Sequence, residues 1–168
     1  MAFDGEAFVN EMREELIASG RTLDQSLIVQ RIEAGEATAS EMVGWARQHY
    51  WGVTYHTRRV LSAWVTRIPY EMTDAVIDNV AEEVLGTASK SGFGHLHWLF
   101  QFTRALGAPD SVITDVAPNT DAQASEAWLY LLAQQRPWHE LTFGGILAIE
   151  NQIPPAYIRM VRGFKEHY

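Results

Sequence analysis

Apolar residues recur at i, i+3 and i+4 along almost the whole chain, and no run alternates apolar with polar between turn residues. That pattern predicts an all-α protein. Phe8, Val9, Met12, Leu16 and Ile17 make one stripe that stops at Gly20, and a shorter helix through Leu27, Ile28 and Ile32 stops at Gly35. Glycine ends helices because it enters the left-handed conformation without the strain of a Cβ. The longest helix is predicted from Thr38 or Ser40, whose hydroxyls can cap it, to Ile68, where Pro69 forbids continuation. Two more are predicted over about Thr73 to Leu85 and His95 to Leu106, the second closed by Gly107-Ala108-Pro109. Asn119-Thr120-Asp121 caps a helix through Trp128, Leu131 and Leu132. Pro137 opens one from Trp138 to Ile149, and Pro154-Pro155 opens the last, from Ala156 to about Lys165. Only Ser111 to Val116 could be extended, and it is too short to change the class.

Composition narrows what such a bundle can be. With 168 residues, 47% of them apolar, the chain has enough material to bury a core as one domain spanning 1–168. It contains no cysteine, so thiolate catalysis, disulfides, zinc–thiolate sites and Fe–S clusters are excluded, and a metal would need oxygen and imidazole ligands. The start, Met1 to Glu6, is acidic and lacks the basic flank and apolar run of a signal peptide, and no stretch approaches about 18 apolar residues. The expectation is a cytoplasmic protein without membrane contact. Thirteen basic against 21 acidic residues give a formal charge of −8, which repels phosphate backbones and argues against nucleic acid. Neither a phosphate-binding glycine loop nor H-E-x-x-H nor G-x-S-x-G is present.

Chemistry concentrates between Asn79 and Gly107, where a helix carrying Glu82 and Glu83 breaks at Gly86 and the next opens with His95-Leu96-His97. Carboxylates and imidazoles returned to one another by a short connection are ligands suited to redox-active iron or manganese. Glu83 follows Val76 by seven residues and Val80 by three, a spacing that turns it toward the apolar side of its helix. A carboxylate there is costly unless paired or metal-bound. The plainer account of Glu82 and Glu83 is a solvated helix end. His95 shares a face with Trp98, Leu99 and Phe102 and so is expected to point inward, as a ligand or as a hydrogen-bonded core histidine; His97 falls between stripes. Glu150 follows Phe143 by seven and Ile146 by four, again over an apolar stripe, at the helix end that disfavours an anion. His49 and His56, with Tyr50 and Tyr55 nearby, are candidates to line a substrate pocket on the long helix, although a packed aromatic face explains them equally.

The order of these segments resembles the heme-oxygenase-like superfamily, which includes the TenA and PqqC proteins and the non-heme di-iron oxidases. The likeness runs through Glu41-Met42-Val43-Gly44-Trp45-Ala46-Arg47-Gln48-His49-Tyr50, Ile68-Pro69, Asn79-Val80-Ala81-Glu82-Glu83, and His95 through Ala105-Leu106-Gly107. It continues in Ile149-Glu150-Asn151-Gln152-Ile153-Pro154 and Arg162-Gly163-Phe164-Lys165-Glu166-His167-Tyr168.

The resemblance implies that Glu83 and His95 bind one iron and that Glu150 helps bind a second. Glu82 is the substitute for Glu83, because an extra residue separates Glu83 from Gly86. It also implies a further core helix, beyond Tyr168, supplying the remaining ligands, so that two Fe(II) ions per chain are expected when that helix is present. The implied function is an O₂-activating non-heme di-iron oxidase or oxygenase. Its substrate would be a small molecule such as an amino acid, a fatty acid or a natural-product precursor. The other readings are a metal-free TenA/PqqC-like enzyme and a non-catalytic helical binding or partner module. Antiparallel helix packing is also compatible with a homodimer.

Overall fold

The computed structural model describes residues 4–87, 90 and 92–168, and the backbone alone of Val53 and of 55–58. Its helices follow the chain as α1 Gly5–Ala18, α2 Leu27–Glu33, α3 Ala39–Tyr55, α4 Ser62–Val65, α5 Thr73–Leu85, α6 His95–Ala105, α7 Ser111–Thr114, α8 Thr120–Gln135, α9 Trp138–Glu140, α10 Ala148–Glu150 and α11 Ile153–His167. No strand occurs among the described residues, so the protein is all-α. Among those residues, no helix is long and apolar enough to cross a membrane.

Three details differ from the pattern reading. The long helix stays helical past Tyr55 but widens into a π-helical turn over His56–Leu61 before α4. The stretch from Trp138 widens likewise over Leu141–Leu147. Periodicity of 3.6 cannot register an i→i+5 turn, since a widened turn shifts the stripe without breaking it. Ser111 to Thr114 forms a helical turn instead of extended chain, with Val112 and Ile113 donating to the carbonyls of Pro109 and Asp110. Four residues are too few to carry a periodic signal.

Packing divides the chain into two units, one built from the segment up to Thr38 with Phe143–Tyr168 and the other from Ala39–Thr142. In the first, α2 lies against α11. A Cβ added to Gly163 would stand 2.3 Å from the Ile32 carbonyl oxygen and 2.7 Å from the Glu33 Cα, so the two backbones touch where only glycine fits. Val29, Ile32, Ala156 and Met160 fill the seam. At its edge the Glu33 carboxylate accepts from Arg159 Nε at 2.7 Å and also pairs with Arg162. Tyr168 donates its hydroxyl proton to the Ala37 carbonyl at 2.8 Å, which ties down the end of α11.

In the second unit α3 packs on α6 and α7, and Ala46, Leu99 and Ile113 form a buried cluster with Trp45, Tyr50, Phe100 and Phe102 around it. The Trp45 and Phe102 rings meet edge to face at 5.9 Å, an arrangement that suits their quadrupoles. Deeper in this unit the buried Trp64 indole donates to Thr142 Oγ1 at 2.8 Å, so its polar atom is satisfied despite burial. This frame holds the C-terminus of α5 and the N-terminus of α6 beside α3.

Candidate metal centre

The C-terminal end of α5 is shaped by two glycines. Gly86 takes the left-handed conformation (φ 63°, ψ 42°), and its amide donates to the Glu82 carbonyl at 2.8 Å, closing the helix. Gly94, the residue before α6, has ordinary extended backbone and is required for a different reason. A Cβ on it would lie 2.3 Å from the Val84 carbonyl oxygen and 2.5 Å from that of Glu83. The chain entering α6 therefore runs directly over the last carbonyls of α5.

That contact sets the next residue beside Glu83. His95 Nδ1 lies 2.6 Å from Glu83 Oε2, slightly shorter than a usual charge-assisted N–H···O hydrogen bond. With Nδ1–H donating to the carboxylate, Nε2 of a neutral ring carries the lone pair. Glu83 is mostly buried, its side chain 15% exposed, whereas His95 is 47% exposed. The expectation that His95 points into the core is thus corrected: Leu99 on the same helix is buried, but Trp98 is 52% exposed. On α5, Val76 is buried while Ile77 and Val84, at helical spacing on the same helix, are exposed. Both helices present part of their apolar face to solvent beside the pair, which spacing alone cannot distinguish from a face against the core. His97 stacks on Phe93 at 4.0 Å.

His49 stands close enough to feel both members of the pair, a position the sequence did not reveal. Its ring stacks on Trp45 at 5.1 Å, and its pKa is pushed down to about 4, first by burial and then by the neighbouring His95, with Glu83 acting the other way. It is therefore neutral at pH 7. Tyr50, also expected to line a pocket, instead joins the buried aromatic cluster against Phe100. The side chains of Tyr55 and His56 lie outside the described residues.

Glu150 belongs to the first unit, where it ends α10 exposed and lines a cavity of about 400 Å³ with Arg13, Leu16, Asp24 and Gln152. The expected placement over a buried stripe is corrected: Ile146 is buried, but the side chain four residues on reaches the surface. The carbonyls at this helix end are taken up by Asn151 Nδ2 on Leu147 and Gln152 Nε2 on Ala148, at 2.8 and 2.7 Å.

The hydrogen bond sets a carboxylate and an imidazole side by side, and these, without a thiolate, are donor types that iron or manganese takes from proteins. By donor chemistry Glu83 and His95 fit such an ion as two of its ligands. Among the described residues, no group of three or more His, Asp or Glu is already gathered for a metal.

Residues 43–168 match the family model described as iron-containing redox enzyme. No curated protein matches the chain.

Proposed function

From the premise that the chain belongs to the iron-containing redox enzymes of the heme-oxygenase-like superfamily, we propose that it is a non-heme di-iron oxidase or oxygenase that uses O₂ to oxidise a small molecule. The observation that carries this reading is the 2.6 Å approach of Glu83 Oε2 and His95 Nδ1. The pair is built by a glycine contact that leaves no slack between the two helices. Glu83 and His95 would hold one Fe(II), and by the family resemblance Glu150 would contribute to binding a second. Iron in such a site supplies the one-electron steps that let O₂ react with a closed-shell organic molecule.

The chain's own residues have distinct tasks. Glu83, mostly buried, accepts from His95 Nδ1 and so keeps the carboxylate and the imidazole side by side as donors. His49, neutral and packed on Trp45, offers an uncharged imidazole that takes a proton only in strongly acidic conditions. Trp45 and Phe102 wall the α3–α6 side with apolar surface, limiting water there.

Oxygen uptake tests the reading. Protein loaded anaerobically with Fe(II) is mixed with air-saturated buffer in an oxygen electrode, alongside Glu83→Gln and His95→Ala. Uptake beyond that of free Fe(II), lost in both variants while their circular dichroism is unchanged, supports the proposal. Equal uptake by wild type and both variants defeats it. If neither variant folds, the Glu83–His95 pair is a structural hydrogen bond and the non-catalytic helical module takes the place of the enzyme.

A further inference from the structure

The second unit contains a cavity of about 520 Å³ that none of Glu83, His95 and His49 lines. Its walls come from α3, from the turn after it, from the 117–118 loop and from α8. The Trp51 indole forms one wall and is pinned by its own hydrogen bond, Nε1 to the Val116 carbonyl at 2.8 Å. Tyr130 forms another, and Val60, Ala117, Pro118 and Ala127 make the rest largely apolar.

Into this apolar space comes one carboxylate. Glu126 lies over the bare backbone of Gly52, its Oε1 3.6 Å from where a Cβ on that glycine would stand. No hydrogen bond or ion pair to it occurs among the described residues. Burial pushes its pKa up to about 7, as it does for a carboxylate that loses water without gaining a partner. An acid so placed costs stability unless something compensates it.

We propose that this cavity binds a small organic ammonium ion, with the Glu126 carboxylate as its counter-charge and the Trp51 and Tyr130 rings as its walls. A carboxylate in a cavity lined by aromatic side chains suits a cation that also carries hydrocarbon, because ring quadrupoles attract the charge while the apolar walls take the alkyl part. The volume of about 520 Å³ lies within the range of small-molecule sites, with room for hydrocarbon beside the charge. Arg59 also lines the cavity and is exposed; the ammonium end of the ligand lies at Glu126.

Isothermal titration at pH 8, where Glu126 is ionised, tests the site with n-butylammonium and tetramethylammonium against n-butanol and butyrate as neutral and anionic counterparts. Saturable binding of the ammonium ions, at least about tenfold tighter than of the counterparts, is expected. Glu126→Gln should lose that preference, since a charge-assisted contact is worth about a factor of ten or more. The Gln variant should keep the wild-type circular dichroism and bind Fe(II) as wild type does, so failure of this site and failure of the iron reading are told apart. Tighter binding of butyrate, equal binding of all four probes, or an ammonium affinity unchanged in Glu126→Gln would each overturn the proposal. So would no saturable heat from either ammonium ion.

Discussion

A Cβ placed on Gly94 would stand 2.5 Å from the carbonyl oxygen of Glu83, closer than real Cβ atoms approach an oxygen. The residue that precedes the imidazole thus rests on the backbone of the residue that supplies the carboxylate. Gly94→Ala must push the start of α6 off the end of α5. The expected outcome is a loss of about 1–3 kcal/mol in stability, together with weakened Fe(II) binding, because His95 Nδ1 moves away from Glu83 Oε2. Chemical unfolding and an iron-chelator competition measure the two effects; an alanine variant with native stability and native iron affinity would show that the contact does not set the pair.

His49 predicts a pH dependence of stability with a definite sign. Its pKa is about 4 in the folded protein against the ordinary 6.5, so between those values the unfolded chain binds a proton that the folded one does not. Stability from this group is therefore full above pH 6.5 and is lost as pH falls toward 4, by up to roughly 3 kcal/mol. Urea midpoints at pH 7, 5.5 and 4.5 should fall along that window. The fall should be shallower in His49→Gln, and parallel curves for the two proteins would refute the assignment.

Two glycine substitutions should act in opposite directions. Gly163→Ala forces a methyl into the Ile32 carbonyl and the Glu33 Cα, which are backbone and cannot swing aside; a loss of about 1–3 kcal/mol follows. Gly44, inside α3, has nothing within 4 Å of its added Cβ, so Gly44→Ala gains helix propensity, about 0.5–1 kcal/mol. Thermal melts of the two variants beside wild type check both signs.

Thr142→Val keeps the shape of the side chain but removes the acceptor of the buried Trp64 indole N–H. An orphaned buried donor costs about 1–3 kcal/mol, so this near-isosteric change should destabilise. A valine variant as stable as wild type would mean that water reaches the indole.

Much of the fold was legible because its boundaries are chemical. Thr73 to Leu85 emerges as a helix just as read, since Gly86 ends it, and the glycines at 20, 35 and 107 end others by their left-handed backbone. The meeting of Glu83 with His95 was foreshadowed by the short connection between their helices. His49 was seen as a pocket residue, not as a neighbour of that pair, because only the packing of α3 on α6 brings it there. Which apolar residues face solvent was also hidden: Ile77, Val84 and Trp98 have helical spacing identical to that of a core stripe. Glu126 carries no sequence signal at all, because its burial arises from a cavity shared by segments distant in the chain.

Anaerobic titration of the protein with Fe(II), counting tightly bound iron per chain, tests the central claim most directly. The account predicts stoichiometric binding of at least one Fe(II) that both Glu83→Ala and His95→Ala abolish, with the helical signal retained in both. Tight binding that survives both substitutions, or no tight binding by the folded wild-type protein, would contradict it.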